Sequence, residues 1–400
     1  MLEWKLIRLG DICVTNKNSY SSRDNWKFVN YLDTGSLTEN KITELQYINI
    51  ETDKIPSRAR RKVIKNSILY STVRPNQLHY GIIKKPVDNL LVSTGFTVID
   101  VDTNKAIPEF IYYLLTQNNT TEQLQAIAEQ SVSTYPSIKP SDIENLEFKV
   151  PNLIIQNKIV SILDTIDSKI CQNEKINNNL LEQASTLFNS AIQQSTSVVY
   201  AELGSLAEVK GGKRLPKGVN LVTTPNQHPY IRVRDLNNAV FASLSNDYEY
   251  VDDETQQSIS RYIVSTGDLL ISIVGTIGLT AIVDHTLNKA NLTENCVKLT
   301  NLKNVTPEYL LLFLRSSQGA EAISKGTVGA VQLKLPIKNI QSIAVPLICD
   351  EDLLPLNETL SAIFSQISAN IVEMKQLVDI RDTLLPKLMS GELDVSDIDL

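Results

Sequence analysis

The chain is poor in the side chains that bind metals or form disulfides. Its 400 residues include four cysteines and three histidines, which lie far apart in the sequence. A zinc site or a disulfide framework needs closer spacing or a larger set. The sequence therefore predicts neither, and we interpret the cysteines as small buried hydrophobic residues in a reducing compartment. They are Cys13, Cys171, Cys296 and Cys349.

Long apolar runs and familiar catalytic motifs are also missing. No apolar run approaches the roughly 18 residues that a membrane span needs, and residues 1–5, MLEWK, do not begin a signal peptide. The chain has no Gly-x-Gly-x-x-Gly, Walker loop, His-Glu-x-x-His, Gly-x-Ser-x-Gly elbow or Pro-Pro dipeptide. These absences predict a soluble, cytoplasmic binding protein rather than an enzyme.

The net charge of −7 conceals an uneven distribution. Residues 350–400 contain eleven Asp and Glu against three basic residues, a net charge of −8, and subtracting −8 from −7 leaves +1 for the rest of the chain. Binding follows the local potential and not the sum. The acidic total therefore does not exclude nucleic acid as a partner.

What the chain does contain is a duplication. LGDI at 9–12 matches LGSL at 203–206, and NSIL at 66–69 matches GDLL at 267–270. Further along, IPEF matches TPEY, and all offsets lie between 194 and 201 residues. This spacing indicates one duplicated unit of about half the chain, not a solenoid of short repeats. Two similar modules imply a pseudo-two-fold molecule, which suits a two-fold partner, duplex DNA above all.

The hydrophobic patterns predict an α+β fold in four parts. These are a first mixed α/β module at 1–152, a long spacer helix at 153–196, a second module at 197–348, and a second spacer helix with an acidic tail at 349–400. Short β-branched and aromatic runs predict strands at 64–73, 90–101, 146–150, 230–233, 269–274 and 281–283, and helices at 108–117, 121–129 and 307–316.

Both spacer helices carry an apolar seam with heptad spacing. In the first helix one line of the seam runs from Ile159 to Leu187, seven residues apart at each step. The predicted seam residues are Ile159, Ile166, Ile170, Leu180, Leu360, Ile367, Ile371, Met374 and Leu385. About 35 helical residues span about 50 Å, too long to pack flat on either module. We expect the helices to pack on each other in antiparallel orientation, with the modules at opposite ends.

Two asparagines fall on the predicted seam of the first helix. Asn173 and Asn177 occupy positions where an apolar residue would be more stable. Polar seam residues can fix the register or orientation of paired helices. The alternative is that both asparagines face solvent at a local irregularity, and the sequence does not separate the two.

Each module contains a basic cluster without acidic residues. Both clusters predict phosphate contacts, since one such cluster per module is harder to explain as an ordinary solvated loop. The first, between Pro56 and Pro75, contains Arg58, Arg60, Arg61, Lys62, Lys65 and Arg74, and the second contains Lys210, Lys213, Arg214, Lys217, Arg232 and Arg234. Arg can also pair with guanine and Asn or Gln with adenine. The candidate base readers are Arg74, Asn76, Gln77, Arg232 and Arg234.

Two glycine-rich turns in the second module add candidates for phosphate binding. They are VGTIG at 274–278 and KGTVG at 325–329, which contribute Thr276, Lys325 and Thr327. Glycine lets a backbone approach a phosphate closely. The plainer alternative is that both segments are ordinary tight turns.

Taken together, these residues resemble the specificity (S) subunit of a type I restriction-modification enzyme over the full chain. The most specific strings are GDLLISIVGTIG at 267–278, YIRVRDL at 230–236 and RDTLLPKLMSGEL at 381–393. The first module is more divergent, with Asn66-Ser67 where the family usually has Gly-Asp, although STVRPN at 71–76 still fits.

The resemblance implies a division of labour between subunits. Each module would be a target recognition domain that contacts one half of a bipartite double-stranded DNA site, and the antiparallel coiled coil would set the gap. The helices would also dock two modification subunits, which carry S-adenosylmethionine and methylate an adenine in each half. Restriction subunits, using ATP and Mg, would join for cleavage. The chain itself would bind no cofactor and catalyse no reaction.

Two other functions remain open on the sequence alone. One is a non-catalytic scaffold whose β-rich modules bind protein or glycan and whose helices only dimerise. The other, ranked last, is an enzyme with an unfamiliar site. DNA affinity that falls steeply with salt would favour the DNA-recognition subunit over both of these alternatives.

Overall fold

The computed structural model describes residues 4–131, 135–237 and 239–398. Residues 1–3, on which part of the signal-peptide argument depends, lie outside the described residues. The chain divides into two compact units, Met1–Cys171 with Lys375–Leu400, and Gln172–Met374. Among the described residues, no helix combines the length and the apolar character that a bilayer-crossing segment requires.

The first unit contains the first module, which mixes strands with three short helices. Its elements are β1 (Lys5–Arg8), β2 (Cys13–Thr15), β3 (Phe28–Leu32), β4 (Leu37–Thr38), β5 (Lys41–Ile42), β6 (Gln46–Asn49), β7 (Ala59–Lys62), β8 (Ser67–Ser71), β9 (Tyr80–Ile83), β10 (Leu90–Ser93), β11 (Phe96–Val101), α1 (Pro108–Leu115), α2 (Asn118–Glu129), α3 (Pro140–Glu144) and β12 (Glu147–Val150). The long helix α4 (Leu153–Gln194) follows, and its second half belongs to the second unit.

Two four-stranded sheets form the body of this module. One is antiparallel in the order β2-β11-β8-β9, and the other is mixed in the order β6-β3-β10-β7. The single strand predicted at 90–101 is wrong, because a turn at Thr94 and Gly95 separates β10 from β11 and sends them to different sheets. The apolar pattern is nearly continuous across this turn, which hid the break.

The second unit repeats this arrangement with fewer strands. Its elements are β13 (Val198–Glu202), α5 (Leu203–Leu206), β14 (Glu208–Gly211), β15 (Tyr230–Ile231), β16 (Phe241–Ala242), α6 (Asp253–Ile259), β17 (Leu269–Ser272), β18 (Thr280–Val283), β19 (Asn291–Leu292), β20 (Cys296–Thr300), α7 (Pro307–Arg315), α8 (Ser317–Gly326), α9 (Ile337–Gln341), β21 (Ala344–Ile348) and α10 (Asp350–Ser390), whose last part returns to the first unit. Its main sheet has the order β14-β20-β17-β18-β16.

Each module begins and ends on the same pair of strands. β1 pairs with β12 so that Lys5 lies opposite Val150, and β13 pairs with β21 so that Val198 lies opposite Ile348. The chain therefore enters and leaves each module at adjacent points. The sequence patterns did not reveal β1 or β13, since both strands are short and mostly exposed.

The corresponding helices α1 and α7 cover the corresponding strands β8 and β17. Both helices begin with proline, which is favoured at the first helical position because its missing N–H has no partner there. Phe110 of α1 belongs to the same buried cluster as Tyr70 of β8. In the second module Tyr309 of α7 belongs to a cluster with Leu269 of β17. The shared architecture confirms the α+β class predicted from the sequence.

Both long helices contribute to the two cores. In the first unit, Ile159 and Leu163 of α4 join Leu388 and Met389 of α10 in the buried cluster beneath α1. In the second unit, the buried residues are Ala184 and Phe188 of α4 and Leu360 and Phe364 of α10. Each buried side chain of this size contributes about 1.5–3 kcal/mol. The helices are therefore part of the folded modules and not detached tethers.

Contacts between α4 and α10 are antiparallel within each unit. In the first unit, Arg381 Nη1 lies 3.2 Å from Asp167 Oδ1. In the second unit, Asn173 donates to Glu373, and Asn370 donates to Asn177, each at 2.7 Å. As the residue number rises along α4, the number of the contacting residue in α10 falls. The prediction of two long antiparallel helices is confirmed.

These contacts decide between the two interpretations of the seam asparagines. Asn173 is only 1% exposed, and its side chain bonds to α10. Asn177 bonds to Asn370, a third polar seam residue that is 6% exposed and that the heptad pattern did not single out. The solvent-facing alternative is wrong for both, and the half-buried Asn177 and the buried Asn370 need one register to satisfy their hydrogen bond.

The predicted seam residues differ in burial along the helices. Ile159, Leu360 and Ile367 are buried. Half-buried are Ile166, Ile170, Leu180, Ile371, Met374 and Leu385. The predicted line is wrong at Leu187, which is 41% exposed, while neighbouring Phe188 is 2% exposed. A straight helix has 3.6 residues per turn and drifts away from a strict heptad line.

The divergent Asn66-Ser67 pair reproduces the backbone of its Gly-Asp counterpart. Gly267 has φ +87°, and Asn66 has φ +65°, a left-handed value that asparagine tolerates better than most residues. The Ser67 hydroxyl accepts from the Ile64 N–H at 2.9 Å, as the Asp268 carboxylate accepts from the Ser265 N–H at 2.8 Å. The first module therefore keeps this turn despite the sequence change.

The cysteines are only partly as predicted. All four are free; Cys13 and Cys296 are buried, whereas Cys171 and Cys349 are exposed, so the buried interpretation is wrong for the second pair. Burial raises the pKa of both buried thiols to about 12, with nearby carboxylates contributing. Cys171 and Cys349 lie on or next to the long helices, where a heptad pattern leaves outward positions open.

Candidate nucleic-acid interface

The first basic cluster is built on β7, an edge strand of the mixed sheet. Arg58 precedes the strand, and both it and Arg60 are exposed. Arg61 is half-buried, burial lowers its pKa, and its Nε finds no hydrogen-bond partner within the described part of the chain. Lys62 forms an ion pair with Asp24 and lies over the ring of Trp26. Arg58 and Arg60 are thus the cations of this cluster best placed to meet a phosphate.

A short 3₁₀ turn after β8 presents the three predicted base readers of the first module. Arg74, Asn76 and Gln77 are all exposed, while Pro75 between them is buried. The turn, Pro75–Gln77, is flanked by left-handed residues at both ends, with φ +48° at Arg74 and +57° at Leu78. Such conformations cost a non-glycine residue on the order of 1 kcal/mol and tend to persist at functional sites.

Contacts from neighbouring segments hold this turn in place. The Arg74 N–H donates to the Pro136 carbonyl at 3.0 Å, and the Asn76 N–H donates to Gln125 Oε1 of α2 at 3.2 Å. The Arg74 guanidinium lies 5.0 Å from the centre of the Tyr135 ring. The backbone is therefore fixed while the polar side chains stay accessible. A fixed backbone with free polar tips is what recognition of base edges requires.

Three arginines of the second basic cluster line one open groove of about 490 Å³. Arg214, Arg232 and Arg234 meet there, and Thr293, Glu294 and Asn295 complete its polar rim. Arg214 has an 84% exposed side chain, and its Nε donates to Glu294 Oε1 at 2.9 Å. The groove therefore brings together residues that are about 80 positions apart in sequence, which the sequence did not predict.

The other two arginines in this groove also pair with carboxylates. Arg232 forms an ion pair with Glu249, and its backbone N–H donates to Asp235 at 2.7 Å. Arg234 lies 3.4 Å from Asp235 and is half exposed. Burial raises the pKa of Asp235 to about 6 although Arg234 opposes the shift. The contacts of Arg232 therefore mainly stabilise the fold, whereas Arg214 and Arg234 keep exposed N–H groups.

Two of the three lysines of this cluster lie apart from the groove arginines and are exposed; the third, Lys210, pairs with Glu208 on β14. Lys213 is exposed, and its Nζ lies 5.5 Å from the centre of the Tyr262 ring. Lys217 is exposed in a turn beside Gly218, whose φ is +87°. Both present a charge to solvent, which suits contact with a phosphate backbone.

The two glycine-rich turns meet at a second groove of about 750 Å³. Gly275 and Gly278 from the first turn and Thr327 from the second line it, together with Ser324 and Leu333. Thr276 is exposed in the first turn. Lys325 is exposed and pairs with Glu321 at 2.7 Å, an i,i+4 contact that is weak in water.

One exposed arginine escaped the sequence analysis. Arg261 lies in the 3₁₀ turn Ser260–Tyr262, which contacts β19 as β7 contacts β10 in the first module. The offset of 201 residues that relates NSIL to GDLL also relates Arg60 to Arg261. The repeat therefore relates Arg261 to Arg60, but the sequence analysis missed Arg261 because it lies outside the basic cluster.

A duplicated α+β module, with exposed arginine and lysine side chains on turns and strand edges of each copy, is the arrangement expected of a duplicated DNA-recognition protein. Among the described residues, no group of three His, Cys, Asp or Glu side chains could hold a metal ion. The family described as "Type I restriction modification DNA specificity domain" matches this chain twice, over residues 1–183 and 197–377. The chain belongs to this family.

Individual relatives are distant but extend over the whole chain. The HindI specificity subunit of Haemophilus influenzae is 26% identical over 98% of this chain and 100% of the relative. The MjaIX specificity subunit of Methanocaldococcus jannaschii is 22% identical over 90% of this chain and 87% of the relative. The crystal structure of the S subunit from M. genitalium has a TM-score of 0.56 at 17% identity, covers 99% of this chain and 97% of its own, and shows a similar fold. The resemblance drawn from the sequence is confirmed.

Proposed function

We propose that this chain is the sequence-specific DNA-recognition subunit of a type I restriction-modification complex, and that each module reads one half of a bipartite site. The observation that carries the proposal is the repeat of the family match in both halves of the chain. Each half also exposes arginines on turns and strand edges, and Arg60 and Arg261 occupy positions related by the repeat. In this scheme the chain chooses the site and its partners carry out the chemistry.

In the first module the fixed turn that contains Arg74, Asn76 and Gln77 reads base edges. Arg offers two parallel donors that match guanine, and Asn or Gln offers the donor and acceptor that match adenine. Arg58 and Arg60 on and beside β7 contact phosphates and position the turn. The left-handed residues that flank it support this assignment, since they keep the backbone from adapting to a wrong base.

In the second module the groove around Arg214 reads bases. Arg214 and Arg234 present exposed guanidinium groups, and Glu294 beside Arg214 can accept a hydrogen bond from a cytosine amino group. Lys213 and Lys217, with Thr276, Lys325 and Thr327 around the glycine-rich turns, contact phosphates. The two modules read bases with different residues at positions that the repeat does not relate, as expected if the half-sites differ.

The long helices set the distance between the half-sites and dock the partner subunits. Two modification subunits bring S-adenosylmethionine and methylate an adenine in each half, and restriction subunits bring ATP and Mg for cleavage. Helices of 42 and 41 residues, with antiparallel contacts in both units, support a spacing role. The relative named HindI is itself described as a specificity subunit of a type I restriction enzyme.

Exchange of the second module tests the proposal most directly. Residues 201–348 are replaced by those of a relative with another site, and adenine methylation is mapped by single-molecule sequencing in cells that also express the modification subunit. We expect one half of the methylated site to change and the other half to stay. An unchanged site would contradict the proposal.

Salt dependence separates DNA recognition from a protein- or glycan-binding scaffold. With the modification subunit present, we expect the affinity for the methylated duplex to fall by about 10³-fold or more between 50 and 200 mM salt, because several phosphate contacts release counterions. A duplex of scrambled sequence is the control. If the complex binds neither duplex even at low salt, the scaffold interpretation is favoured instead.

Lengthening both helices tests the spacing role separately. We insert one heptad into α4 and one into α10 at paired positions, between Asn177 and Leu180 and between Ile367 and Asn370. Seven added residues lengthen each helix by about 10 Å, so we expect methylation at sites whose halves are about three base pairs further apart. Insertion into α4 alone puts the two helices out of register on one side of the insertion and serves as the control. If the double insertion left the spacing between the two half-sites unchanged, the helices would not set that distance.

A further inference from the structure

A small hairpin follows α8 in the second module, and its base is firmly anchored. Val328 and Lys334 exchange two backbone hydrogen bonds, of 2.8 and 2.9 Å, and the Leu335 N–H donates to the Ile273 carbonyl at 3.0 Å. The turn is tight, since Gly329 has φ +123° and an added Cβ would lie 2.3 Å from the Gln332 carbonyl oxygen. The residues at its tip therefore project from a fixed base.

The side chains that project from this hairpin are apolar. Val331 at the tip is fully exposed, Leu333 is 56% exposed and Val328 is 49% exposed. Backbone hydrogen bonds anchor this hairpin, so exposing three apolar side chains to water does nothing to stabilise it. A single exposed apolar side chain is ordinary, whereas several on one small hairpin form the kind of surface that contacts a partner.

The charge around the hairpin identifies the partner as a polyanion. Residues 322–349 contain no Asp or Glu and include Lys334 and Lys338, together with Lys325, which pairs with Glu321 just before this range. Lys334 and Lys338 are exposed. An apolar tip on a purely basic segment matches duplex DNA, whose phosphates surround an apolar stack of bases. A protein partner would not require the absence of carboxylates.

The hairpin is also continuous with the candidate interface. Leu333 lines the 750 Å³ groove that Gly275 and Thr327 share. A backbone bridge joins Val274, at the start of the first glycine-rich turn, to Lys334. DNA whose phosphates contact these turns would bring its bases to the hairpin tip.

We propose that Val331, with Leu333 beside it, is an apolar wedge that enters between stacked base pairs of the second half-site and holds that half-site in a kinked form. Inserted apolar side chains unstack base steps and bend the duplex, at a cost of a few kcal/mol that added contacts offset. Sequence steps that unstack easily would then be preferred at a position that makes no hydrogen bond to the protein. This inference rests on the proposed function and deepens it for the second module.

The test uses the full chain assembled with its modification subunit and duplexes of the methylated site. 2-Aminopurine replaces adenine at single positions in each half, except at the methylated adenine, which leaves the stack during methylation itself. With the natural chain we expect fluorescence to rise at one position in the second half on binding. Val331→Ser should abolish that rise and weaken binding about tenfold, because a buried apolar contact is lost. Val331→Leu should retain the rise.

Val14→Ser is the matched control, since Val14 is a 54% exposed valine in the first module. It should leave fluorescence and affinity unchanged. The wedge is overturned if no position in the second half brightens, or if Val331→Ser behaves like the natural chain. It is also overturned if Val331→Ser impairs assembly with the modification subunit, because the hairpin would then be a protein contact. Failure of the natural chain to bind the duplex at all would instead contradict the proposed function.

Discussion

Replacing Lys298 with methionine is expected to destabilise the second module by about 3 kcal/mol, because it leaves a buried carboxylate without its counter-charge. Lys298 Nζ lies 3.0 Å from Asp268 Oδ2, and the two side chains are only 14% and 5% exposed. Removal of one partner from a buried pair costs more than the pair itself contributes. The measurement is the shift in the urea unfolding midpoint, followed by circular dichroism.

Lys210→Met provides the matched control on the same sheet. Lys210 pairs with Glu208, but their side chains are 54% and 50% exposed, so the loss should be below about 1 kcal/mol. The first module has Ser67 and Val98 at the corresponding positions of its sheet, so it lacks this ion pair, and the Ser67 hydroxyl donates to Asp100 instead. Replacement of a buried ion pair by uncharged residues of similar volume is often neutral. The double variant Asp268→Ser with Lys298→Val should recover most of the stability. A Lys298→Met shift no larger than that of Lys210→Met would show that the buried pair is unimportant.

Arg74→Lys is expected to weaken binding of the methylated site by about tenfold to a hundredfold while keeping the positive charge. Lysine offers a point charge and not the planar fork that matches guanine. If Arg74 reads a base, the variant should also accept other bases at one position of the first half-site. Binding of a panel of duplexes, each with one base pair changed, measures both effects in the assembled complex.

Arg60 distinguishes base reading from phosphate contact in the same module. Arg60→Lys should bind within about twofold of the natural chain, because a phosphate accepts either cation. Arg60→Ala should weaken all duplexes alike and lower the slope of log affinity against log salt by about 0.9. If Arg74→Lys bound every duplex of the panel as tightly as the natural chain does, Arg74 would be a phosphate contact and not a base reader.

The sequence predicted best where one periodic signal extended over many residues. The heptads of the spacer helices predicted α4 and α10, because burial of a seam leaves a pattern that no short segment can imitate by chance. The repeat predicted the two modules, since α1 and α7 share Pro-Glu-aromatic starts and lie on corresponding strands. Prediction was poorer for short elements: the amphipathic α8, with serine and glycine in its first turn, was not predicted.

The site was harder to predict, because burial and ion pairing depend on distant segments. Arg214 and Arg232 look equivalent in the sequence, and both pair with a glutamate, yet the Arg232 side chain is 25% exposed and the Arg214 side chain 84% exposed. Likewise Lys62 is held by Asp24, whereas nearby Arg60 is exposed. No local pattern reports such partners. The composition of a cluster thus indicated the kind of ligand, but not which members remain free to bind it.

The strand pairs β1–β12 and β13–β21 make each recognition module a side branch that leaves and rejoins the main path of the chain at one place. Loops inside such a branch can grow, shrink or be replaced by recombination without shifting the phase of the helices. The alignment with the Haemophilus influenzae relative extends over 469 positions, more than the 400 residues of this chain. The loops of the modules can accommodate length variation of this size, so new specificities can evolve while the long helices keep their geometry.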